Sequence, residues 1–425
     1  MARFYNARSA LALLALLSVG CAPDFDKISE LQTLRILAVQ KDKPYAVPGE
    51  TVTLSMLWRD SHRNADGSSA PPRPVQVAWM TGCENPPGDL FFSCFAPKVL
   101  FTGLEAEQCP LGAMLPEGLT VCDNKVVVPI SSAIADRPRT TDPTQPAYGL
   151  DYVFFAACAG TLKLLTEPPQ NERDFPFGCF DESGTRLGSD DFVAGYTSIY
   201  VYKPELGITN SNPPLSSFIF DDQPVAQRCL GDECLTIPES WTDGTKLRCP
   251  GESDAADAGS DAASAADAGP VDAGAGDAGP DDAGPGDAGP GDASSGARLE
   301  VPCVAPCEDD GDESCPGHKF RPELLLPPEG LAKYAEPDVL SRDTRGRDIT
   351  EQMWIDYYVE RGGVKSEVRL LNDAFTGPNP DFGSEFWAPK AEGPSILWAV
   401  VHDNRGGMSW VGMPILIRTP PVPNP

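Results

Sequence analysis

Apolar and polar residues alternate along much of the first half of the chain. In TVTLSMLW, residues 51–58, the side chains of Val52, Leu54, Met56 and Trp58 share one face, and hydroxyl-bearing residues share the other. A period of two is typical of a β-strand with one buried face. Patterns of this kind predict strands at residues 34–39, 51–58, 75–79, 125–129, 152–158 and 197–202.

The second half of the chain carries a comparable set of short apolar segments. Residues 396–401 are apolar on both faces, as in a central strand, and residues 403–407 supply turn chemistry for a hairpin. The predicted strands lie at residues 217–220, 353–360, 367–371, 395–402 and 408–418. Since Pro- and Gly-rich turns recur and long helical periodicity is missing, the sequence predicts an all-β fold with β-sandwich domains.

Two stretches extend this prediction to a known architecture. YAVPGETVTLSML, residues 45–57, resembles the opening of bacterial immunoglobulin-like domains, in which a Pro-Gly turn leads into an alternating strand. EFWAPKAEGPSILWAVVHDNRGG, residues 385–407, resembles the closing strands of immunoglobulin-like or PKD-type domains. The resemblance implies two immunoglobulin-like β-sandwiches, which we assign to residues 33–208 and 212–425.

The second predicted domain is interrupted by a low-complexity tract at residues 251–297. Asp-Ala-Gly occurs six times in the tract, which contains eleven acidic residues and no Lys or Arg. Such a segment cannot bury enough apolar surface to offset its ordering entropy, so we predict a long disordered insertion. Calcium binding is the alternative, but aspartates mostly five residues apart do not match the alternate-residue oxygen ligands of a calcium loop.

The N-terminal residues predict export. Arg3 and Arg8 precede a short apolar segment at residues 10–17, and small residues lead to Cys21, so residues 1–20 are predicted to be a signal peptide. LSVGC, ending at Cys21, resembles the lipobox of bacterial lipoproteins. The resemblance implies a lipidated Cys21, a tether over residues 21–32 and a lipid anchor in the outer membrane or at the cell surface. An ordinary secreted protein cleaved after a small residue is the alternative.

The remaining cysteines are even in number, which predicts a disulfide framework in an exported chain. The candidates are Cys83, Cys94, Cys109, Cys122, Cys158, Cys179, Cys229, Cys234, Cys249, Cys303, Cys307 and Cys315. If all twelve pair and the first six pair among themselves, three cysteines remain on each side of the Asp-Ala-Gly tract. At least one bond then crosses the tract, which makes it an insertion within one domain.

Motifs for metal binding and catalysis are weak. Cys303, Cys307, Cys315 and His318 have zinc-like spacing, but an oxidising compartment favours disulfides, so we predict no metal site and no cofactor. His62 lies in a polar loop and His402 lies at a hairpin turn, and each is expected to be structural or merely exposed. The sequence contains no nucleophile elbow, zinc-protease helix or phosphate-binding loop, and no catalytic residue is predicted.

Charge and aromatic content narrow the choice of partners. The formal net charge of −29 repels phosphate backbones, so nucleic acid is not an expected partner. Aromatic residues in the second domain are expected to belong mainly to its core, with a carbohydrate platform as the alternative. These residues are Trp354, Tyr357, Tyr358, Trp387, Trp398 and Trp410.

The signal, the tract and the strand motifs together resemble the Asp-Ala-Gly-tract surface lipoproteins of diderm bacteria. The resemblance implies location and architecture. We expect a non-catalytic envelope lipoprotein that acts as a structural or protein-interaction module and is held to the membrane through lipid on Cys21. The expected partner is an envelope protein or a polysaccharide. A glycan- or polymer-binding module is the alternative, and an enzyme with an unrecognised site is a third.

Overall fold

A computed structural model describes residues 27–62, 70, 73–88, 94, 113–114, 120–122, 124–139, 146–165, 175, 177–252, 298–308, 315–326, 330–331, 335–342 and 346–419. The predicted signal peptide, Cys21, Cys109 and the tract beyond Glu252 lie outside the described residues, as does the Cys122 side chain. Almost all regular structure within these ranges is β-strand, so the predicted all-β fold is confirmed.

The first sandwich consists of a three-stranded sheet, β1-β3-β7, and a six-stranded sheet, β2-β11-β8-β4-β6-β5, with a β9–β10 hairpin outside them. Its strands are β1 Leu34–Lys41, β2 Tyr45–Ala46, β3 Thr51–Asp60, β4 Gln76–Glu84, β5 Ala113–Met114, β6 Thr120–Cys122, β7 Lys125–Pro129, β8 Tyr148–Cys158, β9 Thr161–Leu164, β10 Phe177–Phe180 and β11 Phe192–Tyr202. A 3-10 turn, Ile134–Asp136, precedes β8, and a second, Pro204–Leu206, follows β11.

The second sandwich pairs a five-stranded sheet, β13-β12-β18-β25-β22, with a larger sheet, β14-β27-β26-β21-β23-β24, to which β17 also adds along β27. Its strands are β12 Leu215–Phe220, β13 Gln223–Pro224, β14 Cys229–Leu230, β15 Leu247–Arg248, β16 Leu299–Glu300, β17 Cys303–Val304, β18 His318–Leu324, β19 Pro337–Arg342, β20 Asp348–Thr350, β21 Met353–Val359, β22 Gly363–Val364, β23 Val368–Asp373, β24 Gly377–Pro378, β25 Ser384–Trp387, β26 Gly393–Asp403 and β27 Met408–Ile417. A short helix, α1 Glu239–Thr242, lies between two 3-10 turns, Gly231–Leu235 and Gly244–Lys246.

The strand order in both halves is that of an immunoglobulin-like domain. In each, the first, second and fifth major strands form one sheet, and the third, sixth and seventh form the other. In the first sandwich β2 pairs in parallel with the last strand, β11, and in the second β17 pairs in parallel with β27. Trp79, on the third strand of the first sandwich, is fully buried between the sheets, which is a hallmark of this fold. The predicted immunoglobulin-like architecture is therefore confirmed by its topology.

The two sandwiches are packed against each other, so four sheets form one stack. Each sandwich has an apolar core between its own two sheets. A further cluster lies between the sandwiches, where Leu37 and Leu57 of the first meet Ile396, Trp398 and Trp410 of the second. The three-stranded sheet of the first sandwich is therefore covered on both faces by apolar side chains.

A β-bulge in β1 places side chains on both faces of the three-stranded sheet. The pairing of β1 with β3 shifts between Ile36 and Ala38, so Leu37 is the extra residue. Ile36 and Val39 contact the core of the first sandwich, whereas Leu37 and Ala38 pack against the second sandwich. An extra residue of this kind changes which face the following side chains occupy.

Five disulfide bonds are present among the described residues, as the sequence predicted for this class of chain. They join Cys83 to Cys94, Cys158 to Cys179, Cys229 to Cys234, Cys249 to Cys303 and Cys307 to Cys315. The Cys249–Cys303 bond connects the two sides of the Asp-Ala-Gly tract, which is the crossing that the parity argument anticipates. Next to it β15 pairs in parallel with β16, so both ends of the tract leave from one place on the second sandwich.

No helix within the described ranges is long and apolar enough to cross a membrane.

Candidate functional site

A cleft between the two sandwiches is a large concave surface formed by described residues of both. Its cavity volume is about 730 Å³, and both sandwiches contribute to its walls. The apolar part of the lining comes from sequence positions far apart, namely Trp58, Ala70, Leu235, Ile237, Trp241 and Ile396. We call this surface the interdomain cleft.

One wall of the interdomain cleft is held by Asn124, which joins the sandwiches. The Trp58 indole Nε1 donates a hydrogen bond to Asn124 Oδ1 at 2.5 Å, and Asn124 Nδ2 donates to the Leu235 carbonyl at 3.0 Å. Trp58 belongs to β3, whereas Leu235 ends the turn that precedes α1. Because these two hydrogen bonds connect the Trp58 indole to the turn through Asn124, the positions of the indole and of the turn are fixed without a ligand.

An ion pair closes the inner end of the interdomain cleft. Arg59 Nε lies 2.6 Å from Glu360 Oε1, and both side chains are largely buried. The Arg59 guanidinium also lies over the Trp398 ring, 5.4 Å from its centroid. The contacts that link the two sandwiches at this point are therefore a charge pair and a cation–π contact on an apolar base.

A second arginine orders the outer part of the interdomain cleft. Arg73 donates two hydrogen bonds of 2.8 Å to the Asp60 carboxylate and one of 2.5 Å to Asp191 Oδ1. The hydrogen bond that Arg73 donates to Asp60 is the main cause of a pKa of Arg73 above its usual value. Bidentate pairing of this type fixes the orientation of the guanidinium plane.

The three histidines are placed separately. His62 lines the interdomain cleft. His402 Nε2 lies 3.0 Å from Asp356 Oδ2, and its ring stacks on Trp354, whereas His318 Nδ1 lies 2.7 Å from Asp221 Oδ2. Within the described part of the chain, no Ser, Thr or Cys side chain is hydrogen bonded to any of these imidazoles, so no nucleophile–base pair of the hydrolase type is assembled there.

The carboxyl groups with strongly raised pKa values lie away from the interdomain cleft. Burial, assisted by Glu84, raises the pKa of Asp151 to about 8 inside the first sandwich. Burial also raises the pKa of Glu351 to about 7 and shifts that of Asp403 upward, near the joint between the sandwiches. None of these three side chains lines the interdomain cleft.

The two sandwiches are also joined by a buried polar network around Arg405. Arg405 hydrogen bonds to Glu336 and Asn210, lies 3.4 Å from Glu351 Oε2, and has its guanidinium over the Tyr45 ring of the first sandwich. Asn210 belongs to the segment that connects the sandwiches. Through Asn210, the connecting segment is therefore held by the second sandwich.

Lys41 and Asn212 complete the polar network around Arg405. Lys41 Nζ donates to the Ser198 carbonyl at 3.0 Å, and burial lowers the pKa of Lys41 to about 8. Asn212 Nδ2 donates to the Lys41 carbonyl at 2.7 Å and Asn212 Oδ1 accepts from the Met408 amide at 3.0 Å. One asparagine side chain thus bonds to both sandwiches.

The aromatic residues of the second sandwich are divided among several packing environments. Tyr357 belongs to the internal core, Trp398 and Trp410 face the first sandwich, and Trp387 is buried on another strand. Trp354 and Tyr358 are half-buried. The six residues therefore do not form a shared surface.

A tyrosine-rich cluster that sequence reasoning missed lies on the first sandwich. Tyr45, Tyr148, Tyr200 and Tyr202 pack with ring centroids 5.0–6.1 Å apart, and Tyr152 and Tyr196 continue the row along β8 and β11. The sequence signal was the alternate spacing of these tyrosines in two strands that later prove to be neighbours.

The zinc-like cysteine cluster is divided between two disulfides. Cys303 is bonded to Cys249, and Cys307 to Cys315, so these thiols are not free to ligate a metal. His318 instead contacts Asp221. No group of three or more His, Cys, Asp and Glu side chains suited to a metal ion occurs within the ranges that the structure describes.

No protein-family model and no curated protein matches the chain. Fibronectin(III)-like modules of Clostridium thermocellum CbhA align over 90% of this chain and 94% of theirs, at 8% identity and a TM-score of 0.17. Dimeric latent PorU from Porphyromonas gingivalis aligns over 93% of this chain and 25% of its own, at 11% identity and a TM-score of 0.16. Three N-terminal domains of the bacteriophage RB49 capsid protein Hoc align over 91% of this chain and 100% of theirs, at 8% identity and a TM-score of 0.14. TM-scores this low support no argument, so the fold assignment depends on the strand order described above.

Proposed function

We propose that this chain is a non-catalytic envelope lipoprotein, anchored through Cys21, which binds a protein partner at the interdomain cleft. The observation that carries the proposal is the cleft itself. It is a large concave surface between the sandwiches, it has apolar walls that include Trp58 and Trp241, and charged side chains also line it. Tryptophan and arginine are enriched at the energetic centres of protein interfaces, and both residue types line this cleft.

The rigidity of the joint supports a binding role. Arg59–Glu360, the contact of Arg405 with Tyr45 and the apolar cluster around Trp398 hold the two sandwiches together. A preformed cleft loses little conformational entropy when a partner binds. The separation of the cleft from the carboxyls with raised pKa values favours binding over acid–base chemistry.

The location is supported by the sequence of the N-terminus and by the disulfides. An export signal ending at Cys21 and a chain with five disulfide bonds are both suited to an oxidising compartment. The anchor is tested by labelling cells with palmitate. We expect label in the wild-type chain and none in Cys21→Ser, whereas normal processing of both forms without label would contradict lipid anchoring.

The partner is tested by photo-crosslinking in intact cells. A photoreactive amino acid at Ile237 or Thr242, which line the cleft, is expected to give a discrete crosslinked band whose partner mass spectrometry identifies. The same amino acid at Ser183, an exposed turn position outside the cleft, is the matched control. Equal yields at all three positions, or no protein adduct at Ile237 and Thr242, would contradict the proposed cleft.

A further inference from the structure

A second concave surface lies on the second sandwich, away from the interdomain cleft. It is a pocket of about 410 Å³ between the outer face of β18 and β25 and the loop that follows β24. Four cations line it, namely Lys319, Arg321, Lys365 and Arg369, together with the three carboxylates of Asp222, Asp381 and Glu385. The charged lining therefore has an excess of one positive charge, in a chain whose net charge is −29. We call this surface the basic pocket.

Two of its cations are already paired. Lys365 Nζ lies 3.1 Å from both oxygens of Glu385, and Arg369 Nη2 donates to Asp381 Oδ2 at 2.8 Å and to the Asp381 carbonyl at 3.0 Å. These pairs neutralise two carboxylates and fix the walls of the basic pocket. The Arg369 Nε donor is buried without an acceptor, so this guanidinium retains hydrogen-bonding capacity.

The other two cations have no carboxylate partner among the described residues. Lys319 and Arg321 are exposed on β18, while Phe320 between them points into the core. The Arg321 guanidinium lies over the Phe382 ring, 5.7 Å from its centroid, which holds it near the pocket without neutralising it. Uncompensated cations at a concave surface of an acidic protein create a local attraction for anions.

A glycine leaves space beside Arg321. Gly383 lies on the floor of the basic pocket, and a Cβ at this position would be 3.7 Å from the Arg321 Cβ. The same Cβ would lie 3.4 Å from the Phe320 carbonyl oxygen and 3.9 Å from the Arg321 Cδ. A larger side chain at this position would therefore crowd the Arg321 side chain at the pocket lining.

We propose that the basic pocket binds an anionic sugar unit, carrying a carboxylate, of an envelope polysaccharide. The arginine fork matches the two oxygens of a carboxylate, and a volume of about 410 Å³ lies in the usual range for small-ligand sites. A peptide that extends a sheet binds at a strand edge, whereas this pocket is on a sheet face, so a sugar unit fits the geometry better than an acidic strand. The basic pocket shares no lining residue with the interdomain cleft, so the inference goes beyond the proposed function.

The test is calorimetric titration of the full chain with polygalacturonate at low ionic strength, with neutral dextran as the reference. We expect polygalacturonate to bind and dextran to give no signal. In the double variant Lys319→Gln, Arg321→Gln, the affinity is expected to fall at least about tenfold, the loss typical of removing two charge-assisted contacts. Lys246→Gln, which removes an exposed cation at another place, is the matched control and is expected to retain the wild-type affinity.

A second variant separates shape from charge. Gly383→Val leaves all charges in place and crowds the Arg321 side chain at the basic pocket, so we expect it to weaken polygalacturonate binding without changing the net charge. Wild-type affinity in Gly383→Val, or an equal loss in Lys246→Gln, would show general charge attraction and overturn the site. Tighter binding of poly-glutamate than of polygalacturonate would identify an acidic peptide as the ligand and overturn the sugar. Absence of polygalacturonate binding overturns the proposal directly.

Discussion

The two sandwiches protect the outer face of their larger sheets in different ways. In the first, the outer face of β4 and β8 is covered by the β9–β10 hairpin, which Cys158–Cys179 ties to β8. In the second, the outer face of β26 and β27 is covered by β1 and β3 of the first sandwich, more than 330 residues earlier in the chain. In both sandwiches the apolar outer face of the larger sheet is covered. The first sandwich uses a segment close by in its own sequence, and the second uses the other domain.

This difference predicts different units of unfolding. A cover that is local in sequence can open by itself, because few contacts elsewhere depend on it. A cover that belongs to another domain links the stability of the two domains. We therefore expect the two sandwiches to unfold together and the β9–β10 hairpin to open separately.

The largest expected effect comes from Trp398→Ala. Trp398 is fully buried between the sandwiches, packs over Gly412 and lies under the Arg59 guanidinium. Truncation of a buried tryptophan costs about 3–5 kcal/mol of the free energy of unfolding. Because the side chain joins the domains, hydrogen exchange should accelerate in both β8 and β21. Wild-type protection of β8 in this variant would contradict the linked stability.

Removal of the Cys158–Cys179 bond should have a smaller and more local effect. The bond closes 21 residues, for which the chain-entropy relation gives about 3 kcal/mol. In the double variant Cys158→Ala, Cys179→Ala, we expect hydrogen exchange to accelerate first in β9 and β10, with β21 and β26 least affected. Equal acceleration in the second sandwich would show that the hairpin is not an independent unit.

Asp151→Asn tests a buried ionisable side chain within the first sandwich. Asp151 is 1% exposed, its Oδ1 has no hydrogen-bond partner, and its pKa is raised to about 8. A raised pKa means that the folded state prefers the protonated form. The stability that this group contributes is therefore fully present below about pH 4 and is lost as the pH rises through about 8.

The amide of Asp151→Asn cannot ionise, so the variant should lose this pH dependence. We expect it to exceed the wild type by about 2 kcal/mol at pH 8 and to match it near pH 4, in urea unfolding at both pH values. Asp136→Asn, at an exposed position of the same sandwich, is the control and should leave the pH profile unchanged. A wild-type pH profile in Asp151→Asn would contradict the buried ionisation.

The smallest expected effect is that of Lys125→Ala. Lys125 Nζ lies 2.6 Å from Asp232 Oδ2 across the two sandwiches, but the side chains are 46% and 53% exposed. Exposed ion pairs contribute less than about 1 kcal/mol, so thermal unfolding should change little. A loss comparable to that of Trp398→Ala would mean that the rim, and not the apolar centre, holds the sandwiches together.

Strand periodicity predicted the fold well where a strand is uninterrupted. The alternation of Val52, Leu54 and Met56 identified β3 and its buried face, and residues 396–401 were apolar on both sides because β26 is a central strand with both faces covered. By contrast, β18 was missed, although Phe320 and Leu324 alternate as expected. Pro322 interrupts its pattern, and the strand tolerates this proline because its pairing with β25 ends at Phe320.

The candidate sites could not be predicted in the same way. Trp58, Leu235 and Ile396 line one cleft although they lie on a strand, a turn and a distant strand, and no spacing rule connects them. The basic pocket likewise combines Arg321 with Arg369 from separate strands. The sequence did predict that the aromatic residues of the second domain belong mainly to packed clusters, and Tyr357, Trp398 and Trp410 do so.

By itself, the sequence determined the strand character of the chain and the disulfide chemistry, and it predicted the crossing bond at the Asp-Ala-Gly tract on the condition that all twelve cysteines pair and the first six pair among themselves. These follow from local periodicity and from the even number of cysteines, neither of which requires knowledge of neighbours in space. The tertiary structure alone decided that the outer face of β26 packs on β1 and β3, and that a cleft and a basic pocket result. The reason is physical: an apolar stripe shows that a face must be buried, but its partner depends on the fit of surfaces that are far apart in the chain.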